Sequence, residues 1–169
     1  MKKIMVIGCP GSGKSTFSRV LHALTGIRLF HLDKMYWNAD RTTVEKAVFL
    51  ERLTDAIQKD EWIIDGNYGS TMELRMKFCD TVIFLDYPLD VCLDGIKSRK
   101  GKARPDMPWT ENAEEEDAEF IEFIKNYNSQ SRPKVIELLD KYADREVYIF
   151  GSREEADSFL KGLSEKPVD

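Results

Sequence analysis

Gly8-Cys9-Pro10-Gly11-Ser12-Gly13-Lys14-Ser15 is the stretch on which the reading of this chain turns. Gly8, Gly13, Lys14 and Ser15 meet the pattern of a glycine, four variable residues, a second glycine, a lysine and a hydroxyl residue. The flanks give the pattern its weight. Before it, Ile4-Met5-Val6-Ile7 is a continuous apolar run, the signature of a strand covered on both faces of a parallel sheet. After it, Lys14 to Leu24 carries Phe17, Val20, Leu21 and Leu24 at helical spacing and stops at Gly26. A glycine-rich loop between strand and helix turns several backbone N–H groups toward one point and adds the positive end of the helix, which together attract phosphate. The expected nucleotide site comprises Gly8, Pro10, Gly11, Ser12, Gly13, Lys14, Ser15 and Thr16. Lys14 would reach the β- and γ-phosphates of ATP, and the Ser15 hydroxyl would offer Mg²⁺ an oxygen ligand. Cys9 sits inside the loop, where a helix N-terminus lowers a thiol pKa; the simpler reading is a small residue that fits.

Outward from the loop, strands and helices alternate. Further strands are predicted at Arg28–Leu32, Glu61–Asp65, Thr81–Asp86 and Glu146–Phe150. Helices are predicted at Val44–Lys59, Thr71–Phe78, Leu89–Lys100, Glu111–Asn128, Lys134–Tyr142 and Arg153–Leu163, the last capped by Gly151-Ser152. Gly101 to Thr110 holds Pro105 and Pro108 and reads as a loop, and the tail from Ser164 as loose. The alternation predicts one α/β domain over residues 1–169 with a mainly parallel sheet. It leaves the strand order open.

Composition removes whole classes of function. At 169 residues, 42% hydrophobic and 33% charged, the chain is an ordinary globular protein. A net charge of −5 argues against DNA and anionic membrane as partners. No apolar run approaches the ~20 residues of a membrane span. Cys9, Cys79 and Cys92 are far apart and odd in number, which fits a reducing cytoplasm rather than a disulfide framework. The expected partners are therefore a nucleoside triphosphate and a small acceptor, with the protein a monomer or homodimer.

Ligands of open α/β sheets bind at the carboxyl ends of the strands. Asp33, Asp65 and Asp86 fall there. Asp33 is a candidate for binding or deprotonating an acceptor hydroxyl, and Asp65 for the magnesium shell. Asp86, before Tyr87-Pro88, reads as strand termination. Lys97, Arg99, Lys100, Lys102 and Arg104 form a basic cluster within eight residues. In an acidic chain, Arg99 and Arg104 stand out as phosphate clamps, because a guanidinium binds two oxygens at once. Arg75 is a candidate to grip an acceptor anion, and Arg132 to reach in beside Pro133. Trp37 and Tyr68, next to site positions, are candidates for stacking on an acceptor ring. His22 and His31 lack partners at metal-ligand spacing and read as packing or surface residues. The run Glu114-Glu115-Glu116-Asp117 reads as a solvated, dipole-matched turn.

Five segments together carry a family resemblance. They are the phosphate loop, "HLDKMYW" at His31–Trp37, "WIIDGNY" at Trp62–Tyr68, "DTVIFLDYP" at Asp80–Pro88 and "SRPKVIELL" at Ser131–Leu139. The chain resembles, to about Leu160, the DNA topology modulation proteins, a group similar to adenylate kinase and other small nucleotide kinases. The resemblance implies a five-stranded parallel sheet in the order 2-3-1-4-5, an acceptor-binding segment over about 33–70 and a mobile lid over about 100–132. It places Asp33 in the acceptor region and Asp65-Gly66 at the kinases' Asp-Gly turn. It makes Arg99 a phosphate-gripping arginine at the lid base, and Arg132 a second. This chain departs after Asp65-Gly66: adenylate kinase would continue Phe-Pro-Arg, whereas here Asn67-Tyr68-Gly69 follow. The lid is short and has no cysteine metal cluster.

The expectation is an ATP- and Mg²⁺-dependent phosphotransferase, adenylate kinase-like, with Lys14, Asp33, Arg99 and Arg132 as catalytic residues and Asp33, Trp37, Asp65, Gly66, Tyr68 and Arg75 at the acceptor. The alternatives are a nucleotide-binding protein that modulates DNA topology, and an ATP hydrolase or switch.

Overall fold

The computed structural model describes residues 1–109 and 118–165. The elements run β1 (Lys3–Gly8), α1 (Lys14–Thr25), β2 (Leu29–His31), α2 (Leu32–Tyr36), α3 (Lys46–Ile57), β3 (Trp62–Asp65) and α4 (Gly69–Phe78). They continue with β4 (Thr81–Leu85), α5 (Leu89–Arg99), α6 (Ala118–Lys125), α7 (Tyr127–Gln130), α8 (Arg132–Lys141), β5 (Glu146–Phe150) and α9 (Arg153–Ser164). The five strands are parallel in the order β2-β3-β1-β4-β5, as expected.

Alternation of side chains along β1 divides the core in two. Ile4 and Val6 pack with Phe17 and Leu21 of α1, Ile96 of α5 and Leu160 of α9. Met5 and Ile7 face the other way, onto Leu53 and Ile57 of α3, Met76 of α4 and Leu139 of α8. All four β1 residues are fully buried, which is why this strand reads as an unbroken apolar run rather than an alternating one.

Register aligns the functional ends. His31 lies opposite Asp65, and Asp65 opposite Val6. Gly8 lies opposite Leu85, and Leu85 opposite Phe150. The carboxyl ends thus form one edge, and the segments that follow β1, β2 and β3 border a common cleft.

Several expectations shift. Strand β2 ends at His31 rather than Leu32, and Leu32 opens a short helix, so Asp33 lies in the first turn of α2 instead of directly at the strand end. On α1 the buried stripe is Phe17, Ser18 and Leu21; Val20 and Leu24 are exposed, because the helix offers the sheet a narrower face than its apolar pattern implies. On α3 the buried face is Phe49, Leu53, Ala56 and Ile57. Two helices are separated near Pro133, as expected: α7 ends at Gln130 and α8 starts at Arg132, with Pro133 in its first turn, where a missing N–H costs nothing. Of the helix expected over Glu111–Asn128, the part through residue 117, with its acidic run, lies outside the described residues; the rest forms α6 and α7. Ser152 caps α9 as expected, its Oγ accepting from the Glu155 N–H at 3.2 Å, while the Glu155 carboxylate accepts from the Gly151 N–H at 2.7 Å.

Candidate active site

The phosphate loop begins where β1 ends and closes into α1. Its shape depends on close backbone approach: a Cβ on Gly11 (φ +84°) would stand 2.0 Å from the Cys92 carbonyl oxygen of α5. Only glycine fits there. Lys14 folds back over the loop, donating from Nζ to the carbonyls of Gly8 at 2.8 Å and Cys9 at 3.2 Å. Burial lowers its pKa, against the opposing pull of Asp65, Cys9 and Asp33. A desolvated ammonium held by neutral carbonyls is poised for an anion. Arg19, one turn further along α1, donates to Ser15 Oγ at 2.9 Å and Thr16 Oγ1 at 3.2 Å.

Behind the loop, Cys9 lies against Cys92, and the hydrogen bond between them together with burial drives its pKa well up. Cys9 is buried and does not line the cleft, so it serves as a packing residue. The three cysteines are free and buried.

The turn after β3 is the best-braced part of the site. Gly66 takes φ +123°, and a Cβ there would crowd the Leu32 side chain at 3.0 Å. Tyr68 takes φ +37°, a left-handed conformation that costs a non-glycine residue roughly 1–3 kcal/mol. Arg75 holds this backbone in place. It is fully buried, and its guanidinium donates to the carbonyls of Gly66 at 2.9 Å, of Asn67, and of Tyr68 at 3.4 Å. The turn in turn delivers two side chains. Asn67 pairs reciprocally with Gly8, accepting its N–H at 3.2 Å and donating to its carbonyl at 2.7 Å. Tyr68 donates its hydroxyl to Asp33 Oδ1 at 2.5 Å.

Asp65 ends β3 with its carboxylate accepting from His31 Nδ1 at 2.8 Å. The contact follows from register, since the two residues are opposed on neighbouring strands. Burial raises the Asp33 pKa, partly offset by the Tyr68 hydrogen bond and by Lys14. Around it stand Tyr36, Trp37, Tyr68 and Trp109, with ring centroids 5.1 to 5.2 Å apart from one ring to the next. Arg104 pairs with Asp106 at 2.5 Å; although burial opposes it, that pairing keeps Asp106 below the usual carboxylate range.

Across the phosphate loop lies a second group of side chains. Arg153, the first residue of α9, reaches Gly11 O at 3.4 Å and packs its guanidinium 5.7 Å from the Tyr87 ring centre. Arg99 lies 5.7 Å from the Phe120 ring centre. Arg99, Phe120 and Arg153 border one cleft of about 910 Å³ together with Asp33, Trp37, Tyr68 and Trp109.

Most of the expected site residues meet in that cleft. Pro10, Gly11, Gly13, Lys14, Ser15, Thr16, Asp33, Trp37, Asp65, Gly66, Tyr68, Arg99 and Arg104 all line it. Gly8 and Ser12 do not: Gly8 is held by Asn67, and Ser12 is buried beneath the loop. Two arginines are placed differently from expectation. Arg75 is sealed behind the turn, because three carbonyls there need its donors. Arg132 lies outside the cleft in a bidentate pair with Asp86, Nε to Oδ1 at 2.9 Å and Nη2 to Oδ2 at 2.8 Å. Asp86 is accordingly an ion-pair partner as well as a strand terminator. Four site residues went unforeseen. The spacing of His31 gave no sign of Asp65, since the contact depends on the sheet order. Asn67 carried a signal, standing where the kinases' Phe-Pro-Arg should begin. Arg19 followed the motif by one turn, and Arg153 stood just after the last strand, a position the strand-end rule covers.

Among the described residues, none of the His, Cys, Asp and Glu side chains gather into a group of three able to hold a metal. Ser15 and Asp65 supply hard oxygen donors on the cleft wall, which suits a magnesium ion that keeps most of its ligands from water and phosphate. No described helix is long and apolar enough to cross a membrane.

No protein-family model matches the chain, and no curated protein matches it. Solved structures do, over nearly its full length. A shikimate kinase from Bacteroides thetaiotaomicron is 21% identical, with a TM-score of 0.56 and 96% of each chain covered. A shikimate kinase from Acinetobacter baumannii, solved in complex with shikimate, is 16% identical with a TM-score of 0.63, covering 96% of this chain and 90% of that one. A shikimate kinase from Aquifex aeolicus is 20% identical with a TM-score of 0.55, covering 95% and 92%. The fold is that of a P-loop nucleotide-kinase-like protein.

Proposed function

We propose that this protein is a small-molecule kinase that transfers the γ-phosphoryl group of ATP to an acceptor hydroxyl. One observation carries the reading: the phosphate loop with Lys14 and the half-buried Asp33 carboxylate, whose pKa is raised, open into the same cleft. Phosphoryl transfer needs its two substrates aligned and its charge neutralised, and little covalent help from the protein. The loop N–H groups and Lys14 bind the phosphates, and Arg99 and Arg153 flank the donor side. Asp33 receives the acceptor. Its Oδ1 is held by Tyr68, which leaves Oδ2 for the acceptor hydroxyl. As the acceptor oxygen bonds to the γ-phosphorus, the bond to the bridging oxygen of ADP breaks, and the hydroxyl proton passes to Asp33. Its raised pKa brings the carboxylate closer to neutral pH, where a general base works best. Magnesium, held by Ser15 and Asp65, would neutralise charge on the β- and γ-phosphates. His31 fixes the Asp65 carboxylate for that role.

In this reading the described residues Arg104, Trp109 and Phe120, which border the cleft, belong to the lid expected over about 100–132. The segments that resemble the DNA topology modulation proteins fit the same reading. "HLDKMYW" supplies Asp33 and Trp37, and "WIIDGNY" supplies Asp65 through Tyr68, which supports an acceptor site rather than a DNA-binding face. A net charge of −5 points the same way.

The test is ADP formation from MgATP across a panel of hydroxyl compounds. Turnover that depends on one acceptor class, and is lost in Lys14→Ala, supports the kinase. ADP formed at the same rate with no acceptor would make the protein a hydrolase instead.

A further inference from the structure

Both side chains that would hold magnesium are already paired with nitrogen atoms. Asp65 Oδ2 meets His31 Nδ1 at 2.8 Å, and Ser15 Oγ accepts from Arg19 Nη1 at 2.9 Å. The two cases differ. A carboxylate has a second oxygen to give a metal, whereas a hydroxyl has only one. The partner of Ser15 Oγ therefore bears more directly on metal binding.

Arg19 stands one turn beyond Ser15 on α1. Spacings of four and three residues put its guanidinium over Ser15 and Thr16. The fork spans both hydroxyls, Nη1 on Ser15 Oγ and Nη2 on Thr16 Oγ1 at 3.2 Å. All three residues line the cleft, and Arg19 is half-buried. A guanidinium only donates, so each hydroxyl must accept from it and turn its own proton elsewhere. Those protons are then directed to phosphate oxygens over the loop. Arg19 adds a permanent positive charge beside them.

The same bond works against a metal. Magnesium needs an oxygen lone pair and brings two positive charges. A guanidinium on Ser15 Oγ already draws electron density from that oxygen. Two cations sharing one oxygen also repel, and a cleft screens that repulsion less than bulk water does.

We infer that Arg19 is a positioning residue for the donor nucleotide: it turns the Ser15 and Thr16 hydroxyls toward the phosphates and competes with magnesium for Ser15 Oγ. The inference rests on the kinase reading only for magnesium at Ser15. It needs no acceptor and no transfer.

The test separates metal from nucleotide. The full-length protein is titrated by calorimetry with a non-hydrolysable ATP analogue, once in EDTA and once in saturating Mg²⁺. The ratio of the two dissociation constants measures how strongly the metal supports binding. Arg19→Met keeps the apolar stem and loses the charge. Its metal-free affinity should fall about threefold, the effect of a half-exposed charge. Its ratio should widen about tenfold, the lower end for a hydrogen bond to a charged group. The magnesium complex then binds more tightly than to the wild type, a gain that a damaged fold does not produce. Arg19→Lys keeps the charge and should hold the ratio within about twofold of wild type. Both bonds of Arg19 lie within α1, so neither variant breaks a hydrogen bond between elements.

An unchanged or narrowed ratio in Arg19→Met would overturn the inference. So would equal widening in Arg19→Lys, because charge would then not be the cause. A widened ratio in a protein that transfers no phosphoryl group would sink the kinase reading and leave this inference standing. Acceptor-dependent transfer with an unchanged ratio would do the reverse.

Discussion

Asn67 and Gly8 are joined by a reciprocal pair of hydrogen bonds, 3.2 Å from the Gly8 N–H to Asn67 Oδ1 and 2.7 Å from Asn67 Nδ2 to the Gly8 carbonyl. The pair ties the turn after β3 to the first residue of the phosphate loop. One side chain thus sets the distance between the group that holds the donor phosphates and the turn that carries Tyr68 to the acceptor carboxylate.

Asn67→Ala leaves the Gly8 N–H without its partner and the loop without its brace. Affinity for a non-hydrolysable ATP analogue, read by titration calorimetry, should fall about three- to tenfold, the worth of one net hydrogen bond. Asn67→Asp keeps the acceptor, loses the donor and sets a charge near the phosphates, so it should bind more weakly still. Wild-type affinity in both variants would show that the brace is incidental.

Much of this arrangement was legible in the sequence, and the part that was not has a physical reason. The phosphate loop, the alternating elements and the strand-end carboxylates follow from local patterns, and the structure brings most of the loop together with Asp33 and Asp65 in one cleft, leaving Asp86 outside it. The partners across strands were hidden. His31 meets Asp65 because β2 lies beside β3, and sequence spacing of 34 residues does not reveal that. Arg75 looked like a ligand-gripping cation because its role depends on a strained turn whose carbonyls face inward. Arg132 and Asp86, each read alone, gave no hint that they pair over 46 residues.

Arg75 is predicted to be a structural strut rather than a substrate ligand. Arg75→Ala orphans at least the half-buried carbonyls of Gly66 and Asn67, at about 1–3 kcal/mol each. Urea denaturation should show a loss of about 2–6 kcal/mol. Arg75→Lys cannot span the turn and should recover little. A variant with unchanged stability and altered acceptor KM would instead place Arg75 at the substrate.

Asp33 should show a trade between stability and activity. Burial raises its folded-state pKa above the ordinary value of about 3.9. Between those two values the folded protein binds the proton more tightly than the unfolded chain, so stability falls as pH rises through that window and stays reduced above it. Asp33→Asn removes the penalty. Its melting temperature should exceed that of the wild type at pH 8, with the gain disappearing below about pH 4. Its acceptor-dependent turnover should drop by about 10²–10⁴. A variant less stable than wild type at pH 8 would contradict the burial argument.

Arg153 should matter for the donor alone. It lies against the phosphate loop and is exposed to the cleft. Arg153→Ala should weaken binding of an ATP analogue about two- to fivefold, the range of an exposed cation–ring contact, with no change in the binding of acceptor. Fluorescence titration of each ligand separates the two effects.

The central claim is that Lys14 and Asp33 serve one transfer reaction across the cleft. The most direct measurement follows the γ-phosphorus of ATP by ³¹P NMR in the presence of Mg²⁺ and a hydroxyl acceptor. The account predicts that the signal moves from ATP into an organic phosphate ester, at a rate lost in both Lys14→Ala and Asp33→Asn. A signal that moves only into inorganic phosphate, or an ester that still forms at the wild-type rate in Asp33→Asn, would contradict it.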